Sequence, residues 1–386
     1  MKYHIITYGC QMNKSDSERI AMFLEKKGYK PALNINWADL IVVNMCSVRQ
    51  PAVDRVYGLI PKFDKLKAKN EKLKTILTGC ILKEDRKKFA KHFDFILDIN
   101  NLLKWPEMIK KKEYVLIKRS PNYYVCDYLK IEPKYKTFPL AFVPISNGCN
   151  NFCAYCVVPY VRGPLVCRDY KEILKEVKNA VQKGFREIWL LGQNVNRYRS
   201  KSKIKSRASI CGSEAGEENE VLCDHQKSKI IDFAKLLKMV NDIPGDFKFF
   251  FTSPHPSDFS DELINTLAKC EKFGKYLNLP VQSGDNEILK KMGRPYTVEQ
   301  YKKIVRKIRK KIPEINLSTD VIVGFPGETK KQFENTVKLF KEIKFNLAYI
   351  SKYSPRPGTA AFQIKDNVPL EEKKRREKCL RNLLSL

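Results

Sequence analysis

Three cysteines crowd one short stretch of the chain: Cys149, Cys153 and Cys156 in GCNNFCAYC, with three and then two residues between them. The apolar run Leu140 to Ser146 (LAFVPIS) leads into them, which puts the thiols on a loop at a strand's carboxyl end. Three thiolates on one loop leave one iron of a 4Fe-4S cluster without a protein ligand, because such clusters otherwise take four cysteines. The open iron is free to hold a substrate or cofactor. Zinc is the poorer reading: it needs a fourth ligand nearby, and Cys167 lies beyond VVPYVRGPLV.

The strand before that loop opens a series. LAFVPIS, REIWLLG, DFKFFFTS, YLNLPV, LSTDVIVGF and FNLAYISKY alternate with helical patterns, which predicts an open or partial β/α barrel over residues 140–368. In such barrels the working residues sit on loops at the carboxyl ends of the strands. Upstream, from Lys2 to about Ile99, YHIITY, SDSERIAMFLEKKG, ADLIVVN, a helix through the fifties and sixties, KLKTILT, KEDRKKFAKHF and DFIL form a second β/α rhythm. That rhythm predicts a doubly wound parallel sheet, so the fold class is α/β with two domains. Weaker patterning from about Trp105 to Pro139 reads as a connector with some strand. The first domain is placed at 1–117 and the connector at 118–139.

Residues 198–229 are polar and aperiodic, and read as a mobile surface insertion. Cys211, Cys223 and His225 within it make an incomplete metal set. The chain closes with PLEEKKRREKCLRNLLSL, a basic helix over 369–386 expected to cap the barrel.

With the strands drawn, a second trio emerges. Cys10 ends YHIITYGC, Cys46 ends ADLIVVNMC and Cys80 ends KLKTILTGC. The carboxyl ends of parallel strands lie along one edge, where ligands collect, so three thiols distant in sequence converge there. A lone buried cysteine is usually a small hydrophobe, but three at equivalent strand ends point to ligation.

Composition narrows the partner. Of 386 residues, 73 are Lys or Arg and 43 are Asp or Glu, giving a net charge of +30. Such an excess favours a polyanion, with nucleic acid ahead of a membrane surface; the competing reading is a solvated Lys-rich exterior. No apolar stretch reaches the roughly 18 residues of a membrane span. A soluble, cytoplasmic chain is expected, in which twelve cysteines serve metal or redox chemistry rather than disulfides.

The Cys149 loop, with Tyr155 before its last cysteine, resembles the cluster loop of the radical S-adenosylmethionine superfamily. The two trios together resemble the methylthiotransferase family within it. YGCQMNKSDSE, NMCSVRQPA and TGC match that family's N-terminal domain, and GCNNFCAYCVVPYVRG, LLGQNVN, LPVQSGD, VIVGFPGET and RPGTAA match its radical domain. CVVPYVRG followed by LLGQNVN is most similar to the branch that modifies isopentenylated adenosine beside the tRNA anticodon.

The resemblance implies two 4Fe-4S clusters, on Cys10, Cys46 and Cys80 and on Cys149, Cys153 and Cys156. It implies S-adenosylmethionine used twice: once to methylate sulfur at the N-terminal cluster, once to give a 5′-deoxyadenosyl radical that takes hydrogen from adenine C2. Partners would be tRNA and a reducing donor such as flavodoxin or ferredoxin, with the chain a monomer away from membranes. The shared cysteine pattern leaves open a methylthiotransferase acting on threonylcarbamoyl-adenosine in tRNA or on a ribosomal-protein aspartate. A reading of another class is a noncatalytic iron-sulfur protein that binds nucleic acid or senses redox state.

Other candidates are weaker. Gly324 and Gly327, with Glu328, follow a strand where bare backbone could approach the adenosyl moiety. Gln193 and Asn194 offer amides at another strand end, for which a loop cap is the competing role. Ser283 and Arg356 complete the cofactor-binding candidates. His255, between prolines, lies near the predicted barrel mouth, while His4 and His92 read as packed or surface residues. Cys126, Cys167, Cys270 and Cys379 match no ligand spacing and read as structural. Members of the family usually continue into a small β-barrel RNA-binding domain, whereas this chain stops at Leu386; Lys373, Lys374, Arg375 and Arg376 would then either replace phosphate contacts or form a solvated face.

Overall fold

The computed structural model describes residues 1–110, 127–202 and 229–384. Its N-terminal part is a five-stranded sheet in the order Lys30–Pro31, Lys2–Tyr8, Leu40–Cys46, Lys74–Cys80, Phe95–Ile96. All neighbours are parallel. The strand Leu40–Cys46 is buried along its whole length because helices cover both faces, which is why its sequence is a continuous apolar run rather than an alternating one. Strand order reverses between Lys2–Tyr8 and Leu40–Cys46, and ligand crevices form at such switch points. Cys10, as N-cap of the helix Gln11–Lys26, stands at this one.

The second part holds six parallel strands in chain order, as the alternation predicts. Leu140–Pro144, Glu187–Leu191 and Lys248–Phe251 pair in register, as do Tyr276–Asn278, Asn316–Val323 and Leu347–Lys352. A parallel bridge between Phe249 and Phe273 joins the two sets. Residues on the outer face of these strands, such as Val143, Leu190, Phe251, Leu277, Val321 and Ile350, share one core with the outer helices. Two of those helices begin with reciprocal caps, Thr297 with Gln300 and Thr329 with Gln332, each satisfying orphan amides of the first turn.

Four expectations change. The segment through the fifties and sixties is two helices, Gln50–Tyr57 and Ile60–Lys69, because Gly58 interrupts and Pro51 and Pro61 each favour a helix start. The described part of the connector holds the helical turns Trp105–Lys110 and Asp127–Lys130 and no strand. The stretch after Tyr198 starts and ends in an antiparallel ribbon, Arg199–Ser202 with Lys229–Asp232; Cys126, Cys211, Cys223 and His225 lie outside the described residues.

The fourth concerns the last helix, Leu370–Asn382, which flanks the barrel's final strand with Leu380 in the core. Lys373 and Arg376 are buried, the first on Asp366 at 2.5 Å and the second on Glu328 at 2.7 Å. They therefore serve neither phosphate nor a solvated face. Lys374 and Arg375 are turned outward and pair with Glu371 and Glu372 one turn earlier.

The two parts meet along the helix Gln11–Lys26. Its polar run Asn13, Ser15, Asp16, Ser17, Glu18 and Arg19 is buried, since the sheet lies on one side and the barrel on the other. One terminal nitrogen of Arg19 donates to both Glu176 oxygens, at 2.6 and 2.8 Å, and Arg168 reaches the same carboxylate at 2.9 Å. Ser15 Oγ donates to the Phe142 carbonyl at 3.1 Å. Paired charges of this kind hold the seam at a fixed geometry, and leaving either one alone would be costly.

Candidate active site

Adjacent strands deliver Cys46 and Cys80 side by side, in register with each other. Gly79 makes that approach possible: its φ is +105°, and a Cβ there would lie 2.3 Å from the Met45 carbonyl oxygen. Cys10 joins from the first strand end, its N–H donating to Asn13 Oδ1 at 3.2 Å. Asn13 is held in turn by Asn44, Nδ2 to Oδ1 at 2.9 Å. A hydrogen bond with Cys46, followed by the charge of Arg162, holds the Cys80 thiol well below its usual range, and the same contact with Cys80 together with burial raises Cys46. Arg162 Nε lies 3.0 Å from Cys80 Sγ.

The loop trio is built differently. Gly148, with φ +81°, brings the loop so close to Pro164 that a Cβ would lie 2.0 Å from its carbonyl oxygen. Its N–H is taken by Gln193 Oε1 at 2.6 Å. Ala154 is pinned from both sides, by the Met292 carbonyl at 2.9 Å and the Ala361 N–H at 2.7 Å, so the RPGTAA motif braces the cysteine loop. Tyr155 packs against Ile288, Met292, Phe325 and Tyr353. Arg294 directs a guanidinium N–H at Cys153 Sγ, 3.3 Å away. Burial raises the thiol of Cys156 to about 12 and that of Cys149 less strongly, so both resist ionisation until a positive partner arrives.

The sheet trio meets the segment that follows the loop trio. Cys46, Cys80 and Leu82 pack directly on Val157 and Val161, which follow Cys156 on the helix Val158–Arg162 and its cap. Among the described residues no three Cys, His, Asp or Glu converge tightly enough to clasp a single metal ion. A four-iron cube asks for something else: thiolates on separate corners, enclosed, with N–H donors to their sulfurs. The donor chemistry fits that demand: the thiols of each trio lie within one another's field, and each trio has one arginine N–H on one thiol. Buried polar atoms without a partner among the described residues include Thr78 Oγ1, two residues before Cys80, Ser146 Oγ, three before Cys149, and Asn194 Oδ1 and His255 Nε2 in the second part.

The remaining candidates divide. Gln193 positions the cysteine loop, as above. Asn194 Nδ2 donates to Asp258 at 3.0 Å, leaving Oδ1 as a free acceptor. Ser283 is buried and accepts the Asp285 N–H, a turn contact. The backbone N–H groups of Gly324 and Gly327 are used within the chain, by Glu328 at 2.6 Å and Asn367 at 2.7 Å. Arg356 reaches across to Gln50 at 2.7 Å and has Asp85, Cys46 and Asp54 in its field, which places it beside the N-terminal trio. Cys270 is in the core, with Cys167 and Cys379 packed against it.

Sequence reasoning missed Arg162, Arg294 and Asp16, and no spacing rule could have flagged them. His255 is more telling than its sequence context suggests. It is 5% exposed, and burial lowers it to about 3, with Arg294 adding to the shift, so the ring is neutral. Its Nδ1 faces the Ser257 Oγ at 2.7 Å and the Ser257 N–H at 3.3 Å, and Nε2 has no partner among the described residues. Two buried polar atoms, His255 Nε2 and Asn194 Oδ1, thus stand without a partner among the described residues, after the strands Glu187–Leu191 and Lys248–Phe251.

Residues 143–340 match the radical SAM superfamily, and residues 2–98 match uncharacterized protein family UPF0004. The chain is 40% identical to the tRNA-2-methylthio-N(6)-dimethylallyladenosine synthase of Dictyoglomus thermophilum, over 97% of this chain and 80% of that protein. It is also 40% identical to the protein of the same name from Carboxydothermus hydrogenoformans, over 97% and 81%. Among solved structures, the radical S-adenosylmethionine methyltransferase TsrM from Kitasatospora setae, with cobalamin and a 4Fe-4S cluster bound, aligns with a TM-score of 0.61 at 14% identity, over 94% of this chain and 77% of that one. At that identity the likeness is one of fold.

Proposed function

The chain belongs to the methylthiotransferase family of the radical S-adenosylmethionine superfamily, and we propose that it places a methylthio group on C2 of N6-isopentenyladenosine beside the tRNA anticodon. The observation that carries this reading is that Val157 and Val161, which come directly after the loop trio, pack on Cys46 and Cys80 of the sheet trio. A sulfur source and a radical source must work on one carbon, and only a shared enclosed space lets both reach it. The relatives' names favour this substrate over threonylcarbamoyl-adenosine or a ribosomal-protein aspartate, and an enzyme over a noncatalytic binder.

Cys10, Cys46 and Cys80 hold one 4Fe-4S cluster and Cys149, Cys153 and Cys156 the other in this proposal. When bound, the clusters supply an attachment point for sulfur and the electron that cleaves S-adenosylmethionine to methionine and a 5′-deoxyadenosyl radical. The protein's own residues do the rest. Gln193 and the Ala154 contacts fix the loop, Arg294 donates to Cys153, and Asn194 Oδ1 with Nε2 of the neutral His255 ring offers unpartnered polar atoms to cofactor or substrate. The buried seam around Arg19 and Glu176 closes the joint between the two parts and helps to keep water out.

The domain division at 117 and 140, a monomeric state, a cytoplasmic setting and a flavodoxin or ferredoxin as electron source belong to the same reading. No helix among the described residues is long and apolar enough to cross a membrane. Anaerobic reconstitution should give about eight irons per chain, the complement of two four-iron clusters, and reductive release of 5′-deoxyadenosine. Nucleoside mass spectrometry of tRNA from cells lacking and regaining the gene tests the substrate. An unchanged level of the 2-methylthio isopentenyl nucleoside would refute it.

A further inference from the structure

Arg162 follows Cys156 by six residues, yet its guanidinium serves the other trio. Nε donates to Cys80 Sγ at 3.0 Å, one terminal nitrogen to Asp16 Oδ2 at 2.7 Å, and the other to Asn147 Oδ1 at 3.1 Å. The residue is 3% exposed. Asp16 lies on the helix that Cys10 caps, and Asn147 comes two residues before Cys149. One side chain is therefore tied to elements that carry Cys10, Cys80, Cys149 and Cys156.

The cluster reading above is the premise here, and on it the geometry points to Arg162 as a positioning residue that raises the reduction potential of the N-terminal cluster and fixes that cluster against the radical loop. Reduction spreads one more negative charge over the cluster and its ligand sulfurs. A buried cationic N–H aimed at one of those sulfurs stabilises the reduced form, with little solvent to screen it. Asp16 works against this, because its carboxylate offsets part of the same positive charge. The competing role is a plain seam salt bridge. Arg19 with Glu176 supplies that comparison in the same interface: it is buried and engages both carboxylate oxygens, with no hydrogen bond from Arg19 to a thiol.

The test uses the full chain carrying Cys149→Ala, Cys153→Ala and Cys156→Ala, so that iron signals come from the N-terminal trio, with midpoint potentials read by EPR-monitored redox titration. Arg162→Gln should move the midpoint down, Arg162→Lys should restore most of it, Asp16→Asn should move it up, and Arg19→Met should leave it in place. Opposite signs for the two members of one ion pair are what an electrostatic role demands and a structural role does not give. Should Arg162→Gln load no iron, the upward shift in Asp16→Asn decides. Shifts of equal sign, or none, would overturn the inference while leaving the clusters. No iron at all in the parent would remove the cluster reading and the inference together.

Discussion

Cys149, Cys153 and Cys156 are gathered by one loop, whereas Cys10, Cys46 and Cys80 are gathered by a sheet whose strand ends are up to 70 residues apart in sequence. The loop trio needs little more than Gly148, Gln193 and two backbone contacts at Ala154 to take shape. The sheet trio exists only when three strands are paired, Gly79 lets Cys46 and Cys80 close up, and a residue of the other half, Arg162, reaches over. Closing a short loop costs less chain entropy than joining distant segments, so the two sites should differ in how they fail. The loop trio fails by losing a ligand; the sheet trio fails with the fold.

The sharpest way to break that comparison is at the ligands. Cys153→Ala should abolish release of 5′-deoxyadenosine while retaining about four irons, the content of one cluster, as read by iron analysis and chromatography of the reductive assay. Cys46→Ala should do the reverse, ending methylthio transfer but leaving reductive cleavage of S-adenosylmethionine in place. If either variant lost both activities and all iron, the two sites would not be separable.

The seam comes next. Arg19→Met leaves Glu176 with Arg168 at 2.9 Å and the Tyr135 hydroxyl at 3.3 Å, so the cost should be about 3 kcal/mol, the low end for breaking a buried pair. Denaturant titration measures it, and followed through iron absorbance the N-terminal cluster should be lost at lower denaturant than the loop cluster. Loss of both together would erase the distinction.

The smallest effect concerns Glu18, whose carboxyl burial raises to about 7. The native state thus favours the protonated form, and its stabilising effect is complete below the unfolded value of 4.5 and lost as pH rises through 7. The melting temperature should decline from pH 5 to 7, and Glu18→Gln should flatten that decline. An unaltered slope would place the titration elsewhere on the seam.

The strands of both halves were legible because burial leaves a period in the sequence: continuous apolar runs in the sheet, apolar runs separated by amphipathic helices in the barrel. The polar run from Asn13 to Arg19 was illegible for the same reason. Its pattern is that of a solvated helix face, yet the barrel covers it, and nothing local records a neighbour contributed by residues 142–176. Lys373 and Arg376 misled in the same way, since their carboxylate partners, Asp366 and Glu328, identify them as buried only after the helix has docked.

By itself the sequence determined the spacing of Cys149, Cys153 and Cys156, the alternation of strands and helices, and a cysteine at the end of three strands. Those are short-range facts, set by bond geometry and by which side chains leave water. The tertiary structure alone decided that Leu40–Cys46 lies between Lys2–Tyr8 and Lys74–Cys80, that Arg162 turns to Cys80 and Arg294 to Cys153, and that Val157 and Val161, just after the loop trio, pack on Cys46 and Cys80. Buried charges take the partners that packing brings within reach, and that choice is made only when the whole chain has closed around them.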